Sequence, residues 1–165
     1  MSSYERPGVY SSYEVTSALY GSGGGRGVGV AAVASAGTKG EVTLITGAAQ
    51  AANLYGPGSN LTQLIRTLLE NGAPRVYAVP AVTAGSAAQG DYEAAFAALM
   101  EEPDIGCMVC DSQSAAVHKA LREAVLSGTE QTKYRVAVVE QSGTASALCA
   151  AALALNCERV ALVGN

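Results

Sequence analysis

The sequence predicts an α/β domain: a mostly parallel sheet with helices on both faces, preceded by an extended N-terminal arm. Three observations carry this. From Arg75 onward, short continuous apolar runs alternate with helical patterns, the order that builds parallel strands joined by right-handed crossovers. Asn71-Gly72-Ala73-Pro74-Arg75-Val76-Tyr77-Ala78-Val79-Pro80 closes an amphipathic run with a glycine, turns on a proline and launches a β-branched, aromatic run, a helix-to-strand junction. Gly21-Ser22-Gly23-Gly24-Gly25-Arg26-Gly27 has the composition of a flexible linker and separates what precedes it from the rest. The chain therefore divides into an arm with its linker, 1–27, and an α/β core domain, 28–165.

In chain order, the arm holds Val9, Tyr10, Tyr13, Val15 and Leu19 among serines and threonines, an extended segment with little core of its own. Tyr4, Tyr10, Tyr13 and Tyr20 fall there, in a chain with one phenylalanine and no tryptophan. A tyrosine can pack on a partner while its hydroxyl stays wet, so the arm is predicted to lie on another subunit. Val28–Ala34 and Glu41–Thr46 are predicted strands joined by the Gly37-Thr38-Lys39-Gly40 turn. Ala48–Tyr55 is a short helix ending at Gly56-Pro57-Gly58, and Asn60–Asn71 is an amphipathic one. Val76–Val79, Ile105–Cys110, Arg135–Val139 and Val160–Val163 are continuous apolar runs, the form of strands buried on both faces; Pro80 is expected to end the first. Asp91–Glu102 begins with an acidic cap, carries Tyr92, Phe96, Leu99 and Met100 on one side, and is stopped by Pro103. Ser112–Ser127 takes Ser112 as its cap and Gly128 as its stop. Ser142–Leu155 is apolar all round and is predicted to be buried on more than one side. The sequence stops at Asn165, directly after a central-type strand and before any helix to cover it, which predicts a fragment of a longer protein.

Composition narrows the function classes. With 165 residues, 49% of them hydrophobic, the chain suits one domain with a real core. A net charge of −4 with no basic cluster gives a nucleic-acid surface no electrostatic basis. The longest apolar run, Leu148–Leu155, is far short of the ~20 residues that span a bilayer, and Met1-Ser2-Ser3-Tyr4-Glu5-Arg6 lacks the profile of a signal peptide. No membrane partner is expected, and the default compartment is the cytoplasm.

Reactive groups are few. Cys107-x-x-Cys110 has the spacing of a redox or zinc pair, but residues three apart on a strand point to opposite faces. The four cysteines, Cys149 and Cys157 included, are expected to be small hydrophobes without metal or cofactor. Gly27-Val28-Gly29-Val30-Ala31-Ala32 matches G-x-G-x-x-A inside a strand pattern, where a dinucleotide turn does not sit, and no Lys-Ser/Thr completes a phosphate loop. The crevice at the strand carboxyl ends would gather Pro80–Val82, Asp111-Ser112, Glu140-Gln141-Ser142 and Gly164-Asn165. Asp111 and Glu140 could serve there as acid and base, and Ser112 or Ser142 as nucleophile. Helix capping explains the same residues without an activating base nearby, and His118, the only histidine, is expected at a solvated or core-edge position. A small-molecule-binding or catalytic α/β domain is thus the rival reading.

Four motifs, in order, resemble the tail sheath proteins of contractile phage tails and related contractile injection machines. They are Pro7-Gly8-Val9-Tyr10; Val28-Gly29-Val30 through Gly37-Thr38-Lys39-Gly40; Val42–Thr46 with Asn53-Leu54-Tyr55-Gly56; and Leu68-Leu69-Glu70-Asn71-Gly72-Ala73-Pro74-Arg75-Val76-Tyr77-Ala78-Val79. The resemblance covers roughly the first half of the chain. It implies a structural, non-enzymatic role in a virion tail or contractile particle made in the bacterial cytoplasm. The implied partners are copies of the same chain in hexameric discs and the tail tube protein. The implied interface is the arm, through Pro7, Gly8, Val9, Tyr10, Tyr13 and Val15, adding a strand to a neighbour's sheet.

Overall fold

The computed structural model describes residues 25–130 and 133–165. The arm residues Pro7, Gly8, Val9, Tyr10, Tyr13 and Val15 lie outside the described residues. The elements run β1 (Gly27–Val33), β2 (Thr43–Ile45), α1 (Ala48–Tyr55), α2 (Asn60–Glu70), β3 (Val76–Val82), α3 (Gln89–Glu101), β4 (Ile105–Cys110), α4 (Ala115–Glu130), β5 (Val136–Gln141), α5 (Ala145–Leu155) and β6 (Val160–Gly164). The six strands form one sheet in the order β2-β3-β1-β4-β5-β6. Only β2 is antiparallel to its neighbour.

Right-handed crossovers explain which helix lies on which face. The connection from β1 to β3 moves toward one edge, whereas those from β3 to β4, β4 to β5 and β5 to β6 all move toward the other. Opposite directions of travel require opposite faces. Accordingly α1 and α2 bury Tyr55, Leu61 and Ile65 with Val30, Ala32 and Val76 on one face. On the other, α3 and α4 bury Phe96, Leu99, Leu121 and Val125 with Ala31, Val79, Met108 and Val139, and Leu155 of α5 joins them. The expected β1–β2 turn contains Gly37 and Gly40 at positive φ, but the two strands are not neighbours; β3 lies between them.

β3 runs through Pro80 to Val82, where the sequence suggested a stop. The Val28 N–H donates to the Arg75 carbonyl (2.9 Å), so odd-numbered residues of β3 face β1. Pro80 turns its nitrogen toward the β2 side, where pairing has already ended at Thr43–Ala78. No ladder donor is lost, and the Pro80 carbonyl accepts the Gly40 N–H (3.1 Å).

Three helix starts differ from expectation. α3 begins two residues before Asp91; that carboxylate, at the third helical position, accepts the Ala88 N–H (2.8 Å) and pairs with Lys39 (2.5 Å), so it satisfies an orphan donor from inside the first turn. α4 begins at Ala115, because Ser112 uses its hydroxyl to accept the Ser114 N–H (3.2 Å) in a local turn. It then continues past Gly128, whose absent side chain admits Met100: a Cβ there would lie 2.4 Å from the Met100 methyl carbon. α5 is capped by Thr144, which accepts the Ala147 N–H (3.3 Å), and not by Ser142. α2 starts as expected, with Ser59 as its cap (Thr62 N–H, 3.2 Å), and ends through Gly72 at φ +84°.

The far side of the sheet is less buried than the apolar runs suggested. α5 lies over β6 at the end of the layer, and among the described residues nothing covers its outer side: only Leu155 is buried, and Leu153 is 78% exposed. Among the described residues β5 and β6 carry helices on one face only, and Val136 and Val163 are 46% and 50% exposed on the other.

Candidate functional site

The crevice at the strand carboxyl ends brings Asp111 and Glu140 to the same cleft, about 270 Å³ in volume, with Asn60, Gln63, Thr67 and Cys110. Asp111, just past β4, accepts three hydrogen bonds with its carboxylate. Its Oδ2 accepts the Val33 N–H (3.1 Å) and the Asn60 side-chain amide (2.8 Å), and its Oδ1 accepts the Tyr92 hydroxyl (2.5 Å). One carboxylate thus ties the end of β1 to α2 on one face and α3 on the other. Burial, then the hydrogen bond to Asp111, pushes the Tyr92 hydroxyl well above the usual phenol range, so it stays a donor. Glu140 is exposed and accepts the Asn165 amide (2.9 Å).

Among the described residues neither candidate nucleophile meets a base. The Ser112 hydroxyl faces Ser114, and His118 contacts the Ser112 backbone carbonyl with Nε2 (2.8 Å). His118 is buried, not solvated: it donates to a carbonyl that also accepts the Cys110 thiol (3.9 Å). Ser142 has given the capping role to Thr144. A larger groove of about 640 Å³ lies between α3 and α4 over Ala97, Ala120 and Ala124, and its Ser127 hydroxyl is bonded to the Ala124 carbonyl (2.9 Å).

The cysteines are placed as strand geometry requires. Cys110 is buried in the core on the α3–α4 side, whereas Cys107 has the parity of Val109, which packs on the α2 side. Burial pushes the Cys110 thiol up to about 12 and raises Cys107 as well. Among the described residues no three His, Cys, Asp or Glu side chains cluster in a way that could hold a metal ion. Since the thiolate is the reactive form, iodoacetamide at neutral pH is expected to modify exposed Cys149 first and Cys110 last, with Cys107 between them. Rapid modification of Cys110 in the folded protein contradicts its burial. The G-x-G-x-x-A match lies wholly within β1, where a Cβ at Gly27 would meet the Tyr77 ring at 2.7 Å, so strand packing accounts for that glycine.

One buried charged residue escaped the sequence reading. Arg135, placed there at the start of a strand, is 1% exposed and turns its guanidinium onto the end of α3. It donates to the carbonyls of Leu99 (2.9 Å), Met100 (3.1 Å) and Glu102 (2.5 Å), and Lys133 adds a bond to the Met100 carbonyl (3.0 Å). The only sequence signal was a helix stopped by Pro103 without a C-terminal cap of its own.

No family model matches this chain, and no curated protein matches it. Solved structures do. A chain of the anti-feeding prophage helical sheath in the contracted state shares 17% identity with it at a TM-score of 0.53, covering 98% of this chain and 46% of that one. A chain of the same particle's six-fold symmetrised baseplate gives 15% identity and a TM-score of 0.58, covering 98% and 47%. A chain of its baseplate in the contracted state gives 16% and 0.60, again covering 98% and 47%. This chain spans just under half the length of those chains. It has the fold found in the sheath and baseplate of a contractile, phage-tail-like particle, in agreement with the resemblance to contractile-tail sheath proteins carried by its motifs.

Proposed function

We propose that this chain is a structural subunit of a contractile tail sheath or related contractile injection machine, with no catalytic role. The observation that carries this reading is the fold, matched over 98% of the chain by a chain of a contracted sheath. The three structural donors on Asp111 support it against the rival enzyme reading. Copies of the chain assemble as discs, hexameric as in sheath proteins, around a tail tube, within a particle made in the bacterial cytoplasm. Residues 1–27 act as arm and linker and 28–165 as the core. Residues Pro7, Gly8, Val9, Tyr10, Tyr13 and Val15 supply a strand to a neighbour. Backbone hydrogen bonds hold the neighbours together, and the glycine linker lets the cores reorient when discs rearrange.

Electron microscopy of the natural full-length protein tests this. Tubular polymers are expected from the parent. Val9→Pro with Tyr13→Pro removes donors from the added strand, so this variant should form none while its core still unfolds cooperatively. Glu140→Gln should polymerise normally. Normal tubes from the proline variant, or an activity that Glu140→Gln abolishes, would count against the proposal.

A further inference from the structure

Two surface features of this chain are complementary in shape and charge. The first is Tyr134, in the short connection that enters β5. Its side chain is 54% exposed, yet it is held in place: its carbonyl accepts a hydrogen bond from Arg26 Nη1 (2.6 Å), and the Arg159 guanidinium lies over its ring, 5.4 Å from the centroid. The Arg26 stem crosses β4 at Gly106, where a Cβ would come within 2.6 Å of the Arg26 Cβ. An aromatic ring ordered in this way has little conformational freedom left to lose on binding. Among the described residues no carboxylate pairs with Arg26 or Arg159. Tyrosine and arginine are also the residue types that dominate the energetics of protein interfaces.

The second is the groove of about 640 Å³ between α3 and α4. Its floor is alanine: Ala97 is exposed, Ala120 and Ala124 are half-buried, and the buried Phe96 and Met100 back them. Side chains that stop at Cβ keep the two helices from filling the space between them. The rim is acidic. Glu93, Glu101 and Glu123 line it against one cation, Lys119. Arg122 pairs with Glu123, which leaves Glu93 and Glu101, both exposed, on the α3 side.

We infer that Tyr134 of one copy of this chain inserts into the α3–α4 groove of a second copy, where Arg26 and Arg159 meet Glu93 and Glu101 at the rim. This rests on the sheath-subunit reading above, which requires contacts between copies but does not specify this one. A ring on an apolar floor with its hydroxyl at the wet rim suits tyrosine, and opposite charges around it fix the register of the two copies. Tyr134 stands at the amino ends of the parallel strands, whereas the groove lies on the helical layer. The two surfaces are different, so the contact is heterologous. In a pair, one copy keeps a free groove and the other a free Tyr134, and further copies add in the same way to give a ring or a helix.

Photo-crosslinking of the full chain at rising protein concentration tests this. A benzophenone amino acid takes the place of Tyr134, and mixing isotope-labelled with unlabelled copies separates adducts between copies from those within one. Adducts between copies are expected on residues 89–101 and 116–127. Ala97→Trp, which fills the groove from an exposed position, should lower their yield by about tenfold. Glu93→Lys with Glu101→Lys should do the same by repelling Arg26 and Arg159, and Arg159→Glu on the copy carrying the photoprobe should then restore part of the yield. Far-UV circular dichroism checks that each variant is folded. If copies associate while the adducts fall elsewhere or do not form, the Tyr134 contact is wrong and the sheath-subunit reading stands. If copies never associate at any concentration, both fail. An unchanged yield in Ala97→Trp overturns insertion into the groove.

Discussion

Arg135→Ala is expected to destabilise the folded domain by about 4 kcal/mol, a fall in midpoint temperature on the order of 10 °C. At the end of α3 the carbonyls of Leu99 and Met100, and that of Glu102 just beyond it, accept from a buried guanidinium; Leu99 also accepts the Glu102 N–H (3.3 Å) and Met100 the Lys133 ammonium (3.0 Å). Removing it takes the donor from the Glu102 carbonyl and one donor each from Leu99 and Met100, leaves a cavity, and withdraws a positive charge from the negative end of the helix dipole. Burial also lowers the Arg135 pKa, yet from so high a starting value that the group stays charged. Arg135→Lys, with one compact donor head in place of a fork, should recover only part of the loss, and Arg135→Met should recover packing but none of the hydrogen bonds. Urea denaturation followed by far-UV circular dichroism reads all three. An alanine variant within about 1 kcal/mol of the parent would show that the α3 end is satisfied by other means, Lys133 being the nearest candidate.

Arg135 also shows where the sequence stopped being legible. The order of strands and helices was readable, because continuous apolar runs and helical spacing report burial on each element separately. β4 and α1 matched their predicted bounds. The starts of α1 and α2 were readable to the residue, those of α3, α4 and α5 were not: Asp91, Ser112 and Ser142 all had cap chemistry, but which residue caps depends on the loop that presents it. Pro80 misled because proline's effect depends on which way its nitrogen faces, a property of register. α5 was expected to be enclosed on hydrophobicity alone, whereas its place at the end of the helical layer follows from strand order. For the site, the sequence could name Asp111 as a polar residue at a strand end but not its donors, which come from residues 78, 51 and 19 positions away.

Those donors make Asp111→Ala the second large effect, about 3 kcal/mol, since three groups lose a charged acceptor and the Tyr92 hydroxyl is left buried. Asp111→Asn keeps one acceptor oxygen and turns an amide donor toward the others, so it should cost roughly half as much. In a double-mutant cycle, Asp111→Ala and Tyr92→Phe should couple by about 1 kcal/mol or more. The same contact has a signature in pH. The Tyr92 pKa is raised in the folded state by burial and by Asp111, so above the unfolded tyrosine value of about 10 the unfolded chain releases a proton that the folded one keeps. Stability should be unaffected by this group below that point and should fall as pH rises through it, with Tyr55 and Tyr77, also raised by burial, acting in the same sense. Tyr92→Phe should therefore be less stable than the parent at neutral pH but lose less on going above pH ~10. If the two proteins lose stability equally in alkali, the Tyr92 phenol ionises as readily folded as unfolded, and Asp111 does not hold it.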